Sequence, residues 1–197
     1  MRADAQRNQD RIVAGARELF AERGFEVAME EIARQAGVGV GTLYRRFPDR
    51  WTLVRAVSVD ALLQLGEAAR SALEEEADAW SALRRLLLRG AEERFGALQA
   101  LDAATHQAIR ADPDVTAACR ELITTLARIV EDAKAVGDLR TDVGPGDILL
   151  LLVLLTRPLS ALPADVGAAI PVRYLHLALD GLRPSATSLP GSPIRST

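Results

Sequence analysis

Apolar residues recur every three to four positions along most of the chain, which is the spacing typical of amphipathic α-helices. Alternating runs of β-branched residues, which indicate strands, are nearly absent. The pattern therefore predicts an all-α fold of about nine helices. Their predicted ranges are up to residue 23 and then 30–35, 40–47, 49–76, 80–101, 102–110, 114–136, 148–156 and 171–182.

Residues 30–47 predict two short helices that meet at a tight turn. Gly37 stands where the first helix ends, and glycine adopts the left-handed backbone of a helix end without a steric penalty. In the second helix Leu43 and Phe47 lie four residues apart, so both point inward. The opposite face carries Thr42, Tyr44, Arg45 and Arg46. This pattern is typical of a helix-turn-helix, whose second helix enters the DNA major groove, although an ordinary helical hairpin has the same spacing.

Composition limits the cellular setting and the chemistry. Of the 197 residues, 49% are hydrophobic, so a packed core is expected. A single cysteine, Cys119, excludes an internal disulfide and a cysteine metal cluster. The start of the chain is polar, and the most apolar run, residues 148–155, is far shorter than the roughly 20 residues that cross a bilayer. We therefore expect a cytoplasmic protein without a membrane partner.

Charge is divided unevenly along the chain. The net charge is −3, which does not favour nucleic-acid binding by the chain as a whole. Residues 1–55, however, hold ten arginines and eight carboxylates, whereas residues 56–197 are net acidic. The small basic excess thus coincides with the predicted helix-turn-helix.

Specific short stretches surround this motif: Leu19-Phe20-Ala21-Glu22-Arg23-Gly24, Ile32-Ala33, Ala36-Gly37-Val38, Gly41-Thr42-Leu43-Tyr44 and Phe47. With them, residues 11–55 resemble the DNA-binding domain of the TetR (tetracycline repressor) family of bacterial regulators. The resemblance implies an N-terminal three-helix domain (1–55) and a C-terminal helical ligand-binding and dimerisation domain (56–183), with a long connecting helix over 49–76. Residues 184–197 are rich in Ser, Pro, Gly and Thr, and their composition predicts disorder.

The resemblance also implies which residues contact DNA: Val40, Thr42, Tyr44, Arg45, Arg46 and Arg50. Thr42, Tyr44 and Arg50 match phosphate-contacting positions, whereas Arg45 and Arg46 have the chemistry for bases or phosphates. The sequence departs from the family pattern at Ala28, where no side chain caps the next helix, and at Gly39 and Val40. Double-stranded DNA with a palindromic operator is the expected partner, because two copies of the domain are needed to bind two half-sites.

In the C-terminal domain, the resemblance implies a small-molecule pocket and a homodimer interface. Candidate pocket residues are Leu65, Phe95, His106, Cys119 and Leu122. The same residues have the spacing of ordinary core positions. Candidate interface residues on the last two helices are Leu151, Leu155, Val172, Leu175, Leu179 and Leu182.

The expected function is a ligand-responsive transcriptional regulator, a repressor that a small apolar effector releases from operator DNA. Two alternatives remain: a DNA-binding regulator without a small effector, and a small helical enzyme or ligand carrier. The sequence contains no metal-spaced His/Cys set, P-loop, GxSxG or dinucleotide fingerprint. We therefore expect no enzyme, with no catalytic residues, no cofactor and no metal.

Overall fold

The computed structural model describes residues 2–93, 95, 103–156 and 164–194, without the side chains of residues 2, 3, 103, 104, 106 and 164–170. Within these ranges the chain forms nine α-helices and no strand. They are α1 (Arg2–Arg23), α2 (Met29–Gln35), α3 (Val40–Arg46), α4 (Arg50–Glu75), α5 (Ala79–Glu92), α6 (Ala103–Ala111), α7 (Pro113–Ala135), α8 (Pro145–Thr156) and α9 (Ala164–Leu182). The all-α prediction is confirmed.

Aspartates begin three of these helices. Asp49 accepts the Thr52 N–H at the start of α4, and Asp78 accepts the Ser81 N–H at the start of α5, both over 2.7 Å. Asp112 caps α7 in the same way. The hydrogen bonds from the Thr52 and Ser81 N–H groups lower the pKa of Asp49 and Asp78, because these donors favour the ionised carboxylate.

Two predicted helix boundaries differ from the structure. The helix predicted over 80–101 ends at Glu92 as α5, and most of the remaining predicted range lies outside the described residues. The last helix begins at Ala164 rather than at Pro171, so Pro171 lies inside α9. Proline favours the first turn of a helix but occurs in helix interiors when one lost hydrogen bond is tolerated.

The long helix α4 connects the two parts of the molecule. It packs on α1 and, more extensively, on α7 and α5. Arg17 of α1 donates to Gln64 of α4 and lies 3.3 Å from Asp60. Nearer the start of α4, Arg55 pairs with Asp112 and with Asp114 at the start of α7. These contacts join α4 both to α1 and to the start of α7.

Residues 184–194, which belong to the range 184–197 for which composition predicts disorder, lie along the connection between α7 and α8. Arg140 in that connection donates to the Thr187 carbonyl over 2.7 Å, and Asp142 accepts the Leu189 N–H over 2.7 Å. Asp147 accepts the Ile194 N–H over 3.2 Å. Composition predicts disorder from the small number of apolar side chains in the segment. The bonds that hold it involve its backbone groups, so they do not depend on apolar side chains.

At Gly146 this C-terminal segment (residues 184–194) lies close against α8. A Cβ added there would lie 2.5 Å from the Ile194 carbonyl oxygen, whereas one at Gly66 of α4 would meet only Arg70 at 3.9 Å. We predict that Gly146→Ala detaches the segment and exposes residues 187–194 to proteolysis and hydrogen exchange. Gly66→Ala is the matched control and should raise stability by up to about 1 kcal/mol. Equal protection of the segment in both variants would contradict this packing.

Candidate nucleic-acid interface

The turn between α2 and α3 has the geometry that the sequence predicts. Gly37 has a φ of +62°, and the Val38 N–H donates back to the Ala33 carbonyl over 3.0 Å. These bonds satisfy backbone groups at the end of α2 and redirect the chain. Arg11 of α1 donates to the Gly37 carbonyl over 3.0 Å, so α1 fixes the turn from outside the motif.

The two sides of α3 differ completely in exposure. Leu43 is 0% exposed, and Phe47, which follows the helix, is 3% exposed, so both lie in the core of the N-terminal domain. The outer face of α3 carries Val40, Thr42, Tyr44, Arg45 and Arg46. Thr42 is half-buried, and the other four are exposed. A short helix held by its buried residues thus presents two guanidinium groups, a phenol and a hydroxyl to solvent.

Side-chain contacts position the groups on this face. Arg45 donates to the Thr42 hydroxyl over 3.1 Å, within α3 itself. Arg46 donates to Gln9 of α1, which ties α3 to the first helix. Each guanidinium uses only part of its five donors in these bonds, so donors remain for DNA.

Tyr44 is paired with a carboxylate that the sequence analysis did not select. Its hydroxyl donates to Glu30 Oε1 over 3.2 Å. This hydrogen bond, with partial desolvation and the charge of Glu30, raises the pKa of Tyr44, and the nearby Arg50 opposes the shift. The phenol therefore stays protonated and remains a donor. A contact across the turn has no periodic signal in the sequence, which is why Glu30 was not predicted as part of the site.

Arg50 is half-buried at the start of α4 rather than freely exposed. Its guanidinium donates to the Phe25 carbonyl and, over 2.6 Å, to the Val27 carbonyl, so it fixes the loop between α1 and α2. Five N–H donors allow both this role and a phosphate contact. Its contact with DNA remains a prediction.

The predicted dimer residues divide into two groups. Val172 is exposed, and Leu151 and Leu155 are half-buried. Leu175, Leu179 and Leu182 are 0%, 4% and 7% exposed and belong to the chain's own core, where α9 packs on α5 and α8. These three side chains are not accessible to a partner, and the prediction is corrected for them. The accessible apolar residues lie on the opposite sides of α8 and α9: Leu150, Leu154, Val172, Tyr174 and Leu177.

The predicted pocket residues lie at different depths. Leu65 and Leu122 are fully buried core residues on the packed helices α4 and α7, and Phe95 and Cys119 are half-buried against the same core. Burial raises the pKa of the Cys119 thiol, which keeps it neutral. The side chain of His106 lies outside the described residues. These positions are compatible with a pocket that opens within the core, and the pocket itself remains a prediction.

Among the described residues, no group of three or more His, Cys, Asp or Glu side chains has an arrangement that could hold a metal ion. None of the helices in the described ranges has the length and apolar character that crossing a membrane requires.

The fold and the outer face of α3 define a helix-turn-helix protein with a helical C-terminal domain, and comparisons with known proteins agree. The profile "Bacterial regulatory proteins, tetR family" matches residues 12–57, and the profile "Transcriptional regulator SbtR-like, C-terminal domain" matches residues 77–184. The chain belongs to the TetR family of bacterial transcriptional regulators. The predicted family is thereby confirmed, and this family consists of regulators rather than enzymes.

Individual relatives show how far the likeness extends. A TetR regulator from Streptomyces coelicolor is 31% identical, with a TM-score of 0.67 over 90% of this chain and 99% of that one. A TetR protein from Mycobacterium vanbaalenii is 34% identical, with a TM-score of 0.63 over 92% and 98%. An HTH-type transcriptional regulator of Staphylococcus aureus (strain COL) is 49% identical over 51 residues, which are 25% of this chain and 28% of that protein. The chain thus spans little more than a quarter of the length of that curated relative.

Proposed function

We propose that this protein is a dimeric DNA-binding transcriptional regulator whose α3 enters the major groove at each half of a two-fold symmetric operator. The observation that carries the proposal is the division of α3. Leu43 and Phe47 fix the helix in the core, while Tyr44, Arg45 and Arg46 are exposed. Arginine pairs bidentately with guanine or phosphate, and tyrosine donates to phosphate.

The proposal is tested by titrating the protein into the DNA upstream of its own gene at several salt concentrations. A regulator should shift this fragment at a lower concentration than unrelated DNA. Its affinity should also fall as the salt concentration rises, because its binding releases cations from the DNA phosphates and added salt opposes that release. An enzyme or ligand carrier would show neither preference nor a steep salt dependence. That result would overturn the proposal.

The dimer part of the proposal is supported by the apolar surface on α8 and α9. Leu154 is 68% exposed and Leu177 is 61% exposed, although both are large aliphatic residues. Exposed apolar residues that cluster on neighbouring helices indicate a surface for another protein. A second copy is the occupant we propose, because two DNA-binding domains held about 34–36 Å apart bind successive major grooves.

We further propose that a small apolar effector binds between α4, α6 and α7, near Leu65, Cys119 and Leu122. The ion pair of Arg55 with Asp112 joins α4 to the start of α7, over 2.5 Å, and so connects this region to the N-terminal domain. An effector that favours a different placement of α4 would change the distance between the two DNA-binding domains of the dimer, and the dimer would then release DNA.

Adding candidate apolar metabolites to the DNA titration tests the effector separately. We expect one compound to release the unmodified protein from DNA at a concentration at which the Arg55→Ala variant stays bound. That difference would support coupling through this ion pair. Sequence-specific binding that no compound changes would favour the alternative regulator without a small effector, which acts through its DNA contacts alone.

Glu30 is predicted to limit DNA affinity. Its carboxylate accepts the Tyr44 hydroxyl in the free protein, so a phosphate must compete with it and also meets its negative charge. Glu30→Gln should increase affinity for all DNA roughly two- to fivefold at low salt, and less at high salt. Glu18→Gln on α1 is the control. When Tyr44→Phe is also present, the gain should shrink to the part that comes from removing the charge of Glu30; a gain of the same size in that background would show that Glu30 acts without Tyr44.

A further inference from the structure

The outer face of α9 combines apolar and charged residues in one line. Val172, Arg173, His176, Leu177 and Asp180 surround a shallow groove along the helix. They occupy positions 172–173, 176–177 and 180, which recur every three to four residues, so they share one side. The buried Leu175, Leu179 and Leu182 occupy the other side. A charged pair on a face that is otherwise suited to a partner specifies how that partner is aligned.

The two charges on this face lie two helical turns apart. Arg173 and Asp180 are both exposed, and neither forms an ion pair with another residue that the structure describes. In an antiparallel pair of identical helices related by a two-fold axis, residue i meets residue j and residue j meets residue i. An axis between His176 and Leu177 places Arg173 of each copy beside Asp180 of the other.

Registers centred on either charged residue do not have this complementarity. An axis at Arg173 would place two arginines together, and an axis at Asp180 would place two aspartates together. A parallel arrangement would also pair like with like. Only the axis between His176 and Leu177 matches both charges at once, and it forms the Arg173–Asp180 ion pair twice.

The same register also matches the shape of the helix. It places Val172 of one copy against Gly181 of the other, and a Cβ added at Gly181 would meet nothing within 4 Å. The surface there is flat and open, so a branched side chain can approach the backbone. Near the axis, Leu177, which is 61% exposed, would be covered by the ring of His176 from the second copy.

We propose that two copies of this chain pair antiparallel along α9, with the two-fold axis between His176 and Leu177 and two Arg173–Asp180 ion pairs. The pairing defines the register of the dimer and excludes partners with a different charge order. It rests on the dimer of the proposed function and adds the residues that align the two copies.

The test reverses the charges one at a time and then together. Arg173→Asp gives each copy two aspartates on this face, and Asp180→Arg gives each copy two arginines. Either single variant should raise the dimer dissociation constant roughly ten- to a hundredfold, measured by sedimentation over a concentration series. The double variant Arg173→Asp/Asp180→Arg restores opposite charges and should dimerise nearly as well as the original chain. Arg128→Asp, an exposed arginine of α7, is the control.

Mixing the two single variants gives the sharpest result. Each copy of one then faces opposite charges on the other at both positions, so the mixture should form heterodimers, which differently sized tags reveal. If both single variants dimerise normally, or mixing yields no heterodimer, the proposed register is wrong although the dimer stands. If the unmodified chain is monomeric even when bound to DNA, the dimer of the proposed function fails, and the register fails with it.

Discussion

Replacing Leu154 by lysine is expected to convert the proposed dimer into a monomer. Leu154 is 68% exposed on the outer side of α8, and Leu150 lies one turn before it on the same side. Burying a leucine against a partner contributes roughly 1.5–3 kcal/mol, and two-fold symmetry counts it twice. Lysine loses this contribution and would have to bring a charge into the interface. The dimer dissociation constant should therefore rise at least about a hundredfold.

Val136→Lys is a closely matched control for this variant. Val136 is 69% exposed, almost the same as Leu154, but lies at the end of α7 rather than on α8 or α9. It should sediment as the unmodified chain does. Leu154→Lys should also bind an operator with two half-sites much more weakly, while it binds one half-site as before. A dimeric Leu154→Lys protein would show that the outer side of α8 faces solvent.

The second large effect is expected from Arg45→Ala on the outer face of α3. A guanidinium paired with a base contributes about 1–3 kcal/mol, and a dimer loses two such contacts. Operator affinity should therefore fall roughly 30- to 10⁴-fold. The thermal midpoint should change little, because Arg45 is exposed and donates to Thr42 within its own helix.

Arg128→Ala serves as the control for general loss of positive charge, since Arg128 is exposed on α7. The salt dependence then separates the two possible roles of Arg45. A base contact would lower affinity for the operator and leave unrelated DNA unaffected. Loss of a phosphate contact would weaken binding to the operator and to unrelated DNA alike. It would also reduce the slope of log affinity against log salt concentration by about one per DNA-binding domain. Unchanged operator affinity in Arg45→Ala would remove this residue from the interface.

The N-terminal domain was predictable because local signals determine it. Gly37 specifies the turn, Leu43 and Phe47 specify the buried side of α3, and Asp49 specifies the start of α4. Each effect acts within a few residues, and the structure confirms each one. Glu30 and the carbonyl partners of Arg50 were not predictable in this way, because those contacts join segments that only the folded chain brings together.

The orientation of α9 illustrates why periodicity failed in the C-terminal domain. Leu175 and Leu179 face the core while Val172 and Leu177 are exposed, so apolar residues surround much of the helix. A helix with two apolar sides has no single hydrophobic direction. The sequence predicted that α9 contacts a partner, but only packing against α5 and α8 shows which side remains accessible.

The disorder that composition predicts for residues 184–197 remains a prediction, and the hydrogen bonds of residues 184–194 lie outside what composition describes. Residues 184–194 contain few apolar side chains, so hydrophobic content gives no reason for order. Asp142 and Asp147 hold the backbone of Leu189 and Ile194 instead, and Gly146 leaves space for it. Such backbone docking depends on the three-dimensional arrangement of a distant loop, and composition does not reveal it.

Selection of bound sequences from a random DNA pool tests the central claim most directly. A dimer that presents two copies of α3 should enrich a two-fold symmetric sequence whose half-sites lie about one helical turn, or a multiple of it, apart. The Arg45→Ala protein should enrich it weakly or with altered bases in both halves. Enrichment of no sequence, or of an asymmetric sequence that Arg45→Ala selects equally well, would contradict the account.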